Sequence, residues 1–159
     1  MSDFIELAKE FKDWNLETQG GLEVKNACAL EKIRSFLGKE KDEHKRAMLL
    51  EAFGGTSAEP AIVLLLSEIL STDKSAVVRR AAAEALFEVG DSTACANLLS
   101  AVDNDSDIQV RVSAALALAV IEDPSEKKTL AAALEDDSNE IRLALKAAIE
   151  NSGYNNHSK

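Results

Sequence analysis

Aromatic residues make up only 4% of this 159-residue chain: five Phe, one Trp and one Tyr. Strands favour aromatic and β-branched side chains, so their scarcity beside 25 Ala and 20 Leu argues against a sheet and for helices throughout. The two cysteines, Cys28 and Cys95, have neither zinc nor redox spacing. Only two histidines occur, His44 and His157, too few for a Ser/His/Asp constellation. No apolar run approaches the ~20 residues that a membrane-spanning helix needs. The opening stretch "MSDFIELAKEFKDW" is amphipathic and acidic, unlike a signal peptide. A soluble cytoplasmic protein is the expectation.

Basic charge is short as well. The net charge is −10, distributed as −3 over residues 1–21, +1 over 22–53 and −8 over 54–159. Nucleic-acid binding rests on Lys and Arg neutralising phosphates, so that distribution argues against nucleic acid as a partner. No Gly-rich phosphate loop is present; Gly20-Gly21 and Gly54-Gly55 read as helix connections.

What the chain has is a repeat. Arg46, Arg79, Arg111 and Arg142 follow one another at 33, 32 and 31 residues. Six positions before each stands an acid: Glu40, Asp73, Asp105 and Asp136. Six positions after each stands Ala52, Ala85, Ala117 or Ala148, and the next residue is Phe53, Leu86, Leu118 or Ile149. Four columns kept in register four times define an array of units about 32 residues long. Each unit reads as two helices, and the units run 22–53, 56–89, 91–121 and 124–151. Gly38, Gly54, Gly55 and Gly90 fall where helices should stop, and Pro60 and Pro124 where they should start. Asp123-Pro124-Ser125-Glu126 has the order of an N-cap, an N1 proline and an N3 glutamate. Residues 1–21 are expected to supply a capping helix and linker, residues 22–151 the repeat domain, and residues 152–159 a flexible tail.

A helical hairpin cannot bury its apolar face alone, so hairpins stack and each touches its neighbours. The acid and the arginine can then meet within one unit or between adjacent units, forming a structural ladder of Glu40, Arg46, Asp73, Arg79, Asp105, Arg111, Asp136 and Arg142. Leucine burial, at roughly 1.5–3 kcal/mol per side chain, outweighs exposed ion pairs at ~0.2–1 kcal/mol. The ladder is therefore expected to set the stacking register more than to supply cohesion.

The stretches "DKSAVVRRAAAEAL" (73–86) and "DSDIQVRVSAALAL" (105–118) resemble the HEAT repeat family, and their wording is most similar to the HEAT-like repeats of phycobilisome lyases. The first unit departs from the pattern, with Lys45-Arg46 where Val-Arg is expected. The resemblance implies an all-α, right-handed α-solenoid of about four helical hairpins whose second helices line a concave face. It implies little chemistry, because such repeats occur in lyase subunits, adaptors and scaffolds. HEAT-like deoxyhypusine hydroxylases carry His-Glu iron ligands; here His44 is followed by Lys45. HEAT-like DNA glycosylases use a basic groove with aromatics, for which this composition is unsuited.

Asp103, Asp105 and Asp107 occupy the first three ligand positions of a calcium loop, but Ile108 and Ala114 stand where that loop needs Gly and Glu. An acidic turn with Asp107 at the positive end of a helix explains them without metal. "EDDSNE" (135–140) is the same turn one unit later. Cys28 and Cys95 lie among alanines and leucines and read as packing thiols. No catalytic, metal or cofactor site is expected.

On the second helices, positions one, four, five and eight after the arginine should face away from the stack. These are Ala47, Leu50, Glu51 and Gly54; Arg80, Ala83, Glu84 and Phe87; Val112, Ala115, Leu116 and Ala119; and Leu143, Lys146, Ala147 and Glu150. Of these, Leu50, Arg80, Glu84, Phe87, Val112, Leu116, Leu143 and Lys146 form the candidate partner-binding strip, apolar and rimmed by charge. The alternative is that curvature buries the same residues between units. The functional expectation is a non-catalytic scaffold or adaptor for another protein. The enzyme alternative is a subunit of a phycobilin lyase, which brings a bilin or phycobiliprotein as partner and rests on the resemblance alone.

Overall fold

The structure, a computed structural model, describes residues 22–53, 59–121, 139, 141–143 and 146. Among the described residues all regular structure is helical: α1 (Leu22–Lys39), α2 (Glu43–Glu51), α3 (Pro60–Thr72), α4 (Ala76–Val89), a 3₁₀ turn (Ser92–Ala94), α5 (Cys95–Asn104) and α6 (Ile108–Val120). The expected leading helix, the Asp123–Glu126 start, Asp136 and the tail lie outside the described residues, as does the Gly54-Gly55 pair.

The boundaries follow local chemistry. Pro60 occupies the first turn of α3, where its missing N–H leaves no bond unmade. Asp42 and Asp107 cap α2 and α6, each carboxylate accepting from two backbone N–H groups. Gly90 ends α4 at φ 65, the left-handed region that glycine enters without a Cβ penalty. Gly38, expected after the end of a helix, sits inside the last turn of α1.

The helices form two layers. In one, α4 packs between α2 and α6; in the other, α3 packs beside α5; and the pairs α3–α4 and α5–α6 close each hairpin. Alanine makes this possible. Ala81, Ala82, Ala83 and Ala85 on α4 and Ala114, Ala115 and Ala117 on α6 are all buried, and such small side chains let neighbouring second helices approach closely. Leu65, Leu66, Leu70, Leu86 and Leu98 fill the space between the layers and are almost wholly shielded from water. At roughly 1.5–3 kcal/mol each, these leucines dominate cohesion.

Two of the repeated arginines join one unit to the next. Arg46 Nη2 lies 3.0 Å from Asp73 Oδ1, and Arg79 grips Asp105 through Nε–Oδ2 at 2.7 Å and Nη2–Oδ1 at 2.8 Å. Each guanidinium also reaches back to its own unit: Arg46 Nη1 donates to the Glu40 carbonyl at 3.0 Å and Arg79 Nη1 to the Asp73 carbonyl at 2.9 Å. The acid is meanwhile holding its turn, since Asp73 accepts from the Ser75 N–H and Asp105 from the Asp107 N–H. The carboxylate therefore pairs across units, and the in-unit contact is to a backbone carbonyl. Arg111 donates from Nε to the Val102 carbonyl at 2.8 Å, and Arg142 donates from Nη2 to Asn139 Oδ1 at 2.5 Å.

Burial raises the pKa of Asp105, but the Arg79 fork and the Asp107 N–H overcome it and hold the carboxyl below the usual carboxylate range. The same fork raises the pKa of Arg79. At Glu40, the Asp107-like bond is made by the Asp42 N–H, which lowers that carboxyl too.

Candidate partner-binding groove

The layer built from α2, α4 and α6 carries a groove of about 530 Å³ lined by Glu51, Glu84, Ala85, Phe87, Glu88, Ser113 and Leu116. Its volume falls inside the roughly 300–1,000 Å³ typical of ligand clefts. The floor is apolar: Phe87 and Leu116 are half-buried, while Ala85 is buried. Three carboxylates stand on the rim. Glu84 is 3.4 Å from Arg80 Nε and accepts from Ser113 Oγ at 3.3 Å. Glu51 and Glu88 are exposed and make no ion pair among the described residues.

Glu84, Phe87 and Leu116 from the expected strip are brought together here, and Arg80 joins them through Glu84. Val112 is half-buried, and Leu143 and Lys146 are exposed; none of the three lines the groove. Leu50 is a correction. It was expected on the open face, yet its side chain is wholly buried. Ala83 and Ala115, the equivalent residues of the next two units, are buried with it.

The reason is a small helical rotation. In the first three units position four after the arginine turns into the stack, and position five (Glu51, Glu84, Leu116) turns outward; in the fourth, Lys146 at position four stays exposed. Spacings of i+3 and i+4 both lie on one helix face, so periodicity alone does not choose between them. Side-chain size does: alanine at position four of two units is what a close helix–helix contact requires. The groove also recruits Glu88 and Ser113, which the strip omitted.

In the acidic turn before α6 the carboxylates serve the fold, and the 135–138 stretch of the next turn lies outside the described residues. Asp105 is engaged by Arg79 and the Asp107 N–H, and Asp107 by the Gln109 and Val110 N–H groups. Among the described residues no group of three or more His, Cys, Asp and Glu side chains is placed to hold a metal ion. Cys95 is buried at the start of α5. Among the described residues no helix is long and apolar enough to cross a membrane.

With stacked helix pairs and cross-unit arginines in place, the family can be tested directly, and the family of HEAT repeats matches residues 63–150, more than half of the chain. The chain belongs to the HEAT repeat family. The match spans the units from α3 onward, where the Val-Arg and Ala-Leu columns are strongest. HEAT repeats commonly serve as protein-interaction scaffolds. No curated protein matches the chain.

Proposed function

We propose that this HEAT-repeat chain is a non-catalytic scaffold that binds another protein along the face formed by its second helices. The full array is then a right-handed solenoid of about four hairpins over residues 22–151, capped by residues 1–21 and followed by a short tail. One observation carries the reading: the groove between α2, α4 and α6 has an apolar floor of Phe87 and Leu116 that the chain leaves half-open. Partly open apolar surface in a concave site supports a docking role. Its polar groups are carboxylates and one serine hydroxyl, a set suited to recognising a partner by charge and hydrogen bonding.

The test is capture of a partner from the source cell by the purified chain and by a Leu116→Asp variant. Leu116 is half-buried at the groove, so a charge there should abolish capture while circular dichroism reports unchanged helicity. Equal capture by both proteins refutes the reading. The phycobilin-lyase alternative is addressed in the same experiment by adding a bilin and an apo-phycobiliprotein. A visible absorbance shift that depends on the chain would replace the scaffold reading with that one.

A further inference from the structure

Resting on the scaffold reading, we infer that the groove between α2, α4 and α6 takes a basic amphipathic segment of its partner, an apolar side chain flanked by Lys or Arg. The apolar part of that specification comes from the floor of Ala85, Phe87 and Leu116. The basic part comes from the rim, where Glu51, Glu84 and Glu88 are the charged residues among those lining the groove.

The position of two of these carboxylates sharpens the argument. A helix carries partial negative charge at its C-terminus, where Lys or Arg is stabilising and Glu is not. Glu51 is the last residue of α2 and Glu88 the last but one of α4, and neither helix has a basic residue in its last turn. Both acids are exposed and make no ion pair among the described residues. The chain thus places carboxylates at two negative helix ends, converging on one apolar groove, and among the described residues Arg80 is the cation paired with its rim, at Glu84. Such a local conflict costs stability in the free protein and is relieved when a cation arrives from outside. A second copy of this chain fits poorly, since it brings a net charge of −10 to an acidic rim. Residues 1–21 fit poorly for the same reason, carrying −3.

The test uses the full-length chain and a labelled synthetic helical peptide with Leu on one face and Lys on the other, read by fluorescence anisotropy. Companion peptides replace every Lys by Glu, or every Leu by Ser. The Leu/Lys peptide should bind, and both companions should bind at least about tenfold more weakly. Combined Glu51→Gln, Glu84→Gln and Glu88→Gln should weaken the Leu/Lys peptide about tenfold, and raising NaCl from about 0.05 to about 0.5 M should do the same. Removing equal charge elsewhere, by Glu31→Gln, Glu68→Gln and Asp103→Asn at exposed sites, should leave affinity unchanged. Leu116→Asp adds negative charge yet should weaken binding; stronger binding would mean adsorption by net charge and overturn the inference.

Full affinity in the three-glutamine variant, or equal binding of the Glu-bearing peptide, overturns it too. So do a dimer in sedimentation that Leu116→Asp disperses, and cross-links joining the groove to residues 1–21. An acidic or uncharged peptide that binds in a Leu116-dependent way would sink this inference and leave the scaffold reading standing. Partner capture indifferent to Leu116→Asp would sink the scaffold reading itself.

Discussion

Replacing Asp105 by alanine should cost far more than its position in a surface turn suggests. The carboxylate is gripped at both oxygens by Arg79, with side-chain exposures of 8% for the aspartate and 13% for the arginine. Hydrogen bonds to charged groups contribute about 1.5–3 kcal/mol, against ~0.2–1 kcal/mol for exposed pairs. The substitution also deprives the Asp107 N–H of its acceptor and leaves the Arg79 guanidinium without its carboxylate. We expect a loss near the upper part of that range, about 2–3 kcal/mol, seen as a fall in Tm of roughly 5–10 °C. Asp105→Asn separates the contributions, because an amide oxygen can still hold the turn but carries no charge; it should recover part of the loss. The internal comparison is Arg34–Glu68, an ion pair whose side chains are 43% and 53% exposed. Glu68→Ala should cost no more than about 0.5 kcal/mol. Urea denaturation followed by circular dichroism reads all three variants. Equal costs for Asp105→Ala and Glu68→Ala would refute the claim that the arginine column holds adjacent units together.

Three further outcomes follow from the packing and the charges. Because the Asp105 carboxyl is held below its usual range when folded, its stabilising effect is full above pH ~4 and is lost as pH falls through the folded value; the gap between wild type and Asp105→Asn should therefore close in acid titrations of stability. Leu50→Asp, which buries a charge in the stack, should unfold the chain or lower its Tm severely, whereas Leu116→Asp at the groove should leave the melting curve within a few degrees. Gly90→Ala should cost about 1 kcal/mol through its backbone conformation alone, since no atom lies within 4 Å of the added methyl group; a loss several times larger in the same denaturation assay would contradict that.

The repeat was legible because its columns are physical necessities. Arg46 and Arg79 recur where a guanidinium bridges backbone and side-chain acceptors, and Ala85 and Ala117 recur among the buried residues of the second helices. Helix existence followed from Ala and Leu content, and Pro60 and Gly90 marked ends that the structure keeps. Pairing direction was not legible: Asp73 lies as close in sequence to Arg79 as repetition demands, and only three-dimensional stacking hands its carboxylate to Arg46 instead. Nor was helix rotation, which moved Leu50 into the stack and brought Glu88 to the groove. A residue's offset from the arginine places it on a helix face to within one position, and one position is about 100° of rotation.

The cross-unit fork also gives the array a direction. Among the described residues the first two units each hand a guanidinium forward to the next unit's carboxylate, so the second unit, which does both, cannot be flipped end for end without leaving both groups stranded. A module spliced between α4 and α5 would have to present an acid to Arg79 and an arginine to Asp105, in that order. Lengthening such a protein is therefore a matter of copying whole units in phase, with cuts falling between a fork and the next.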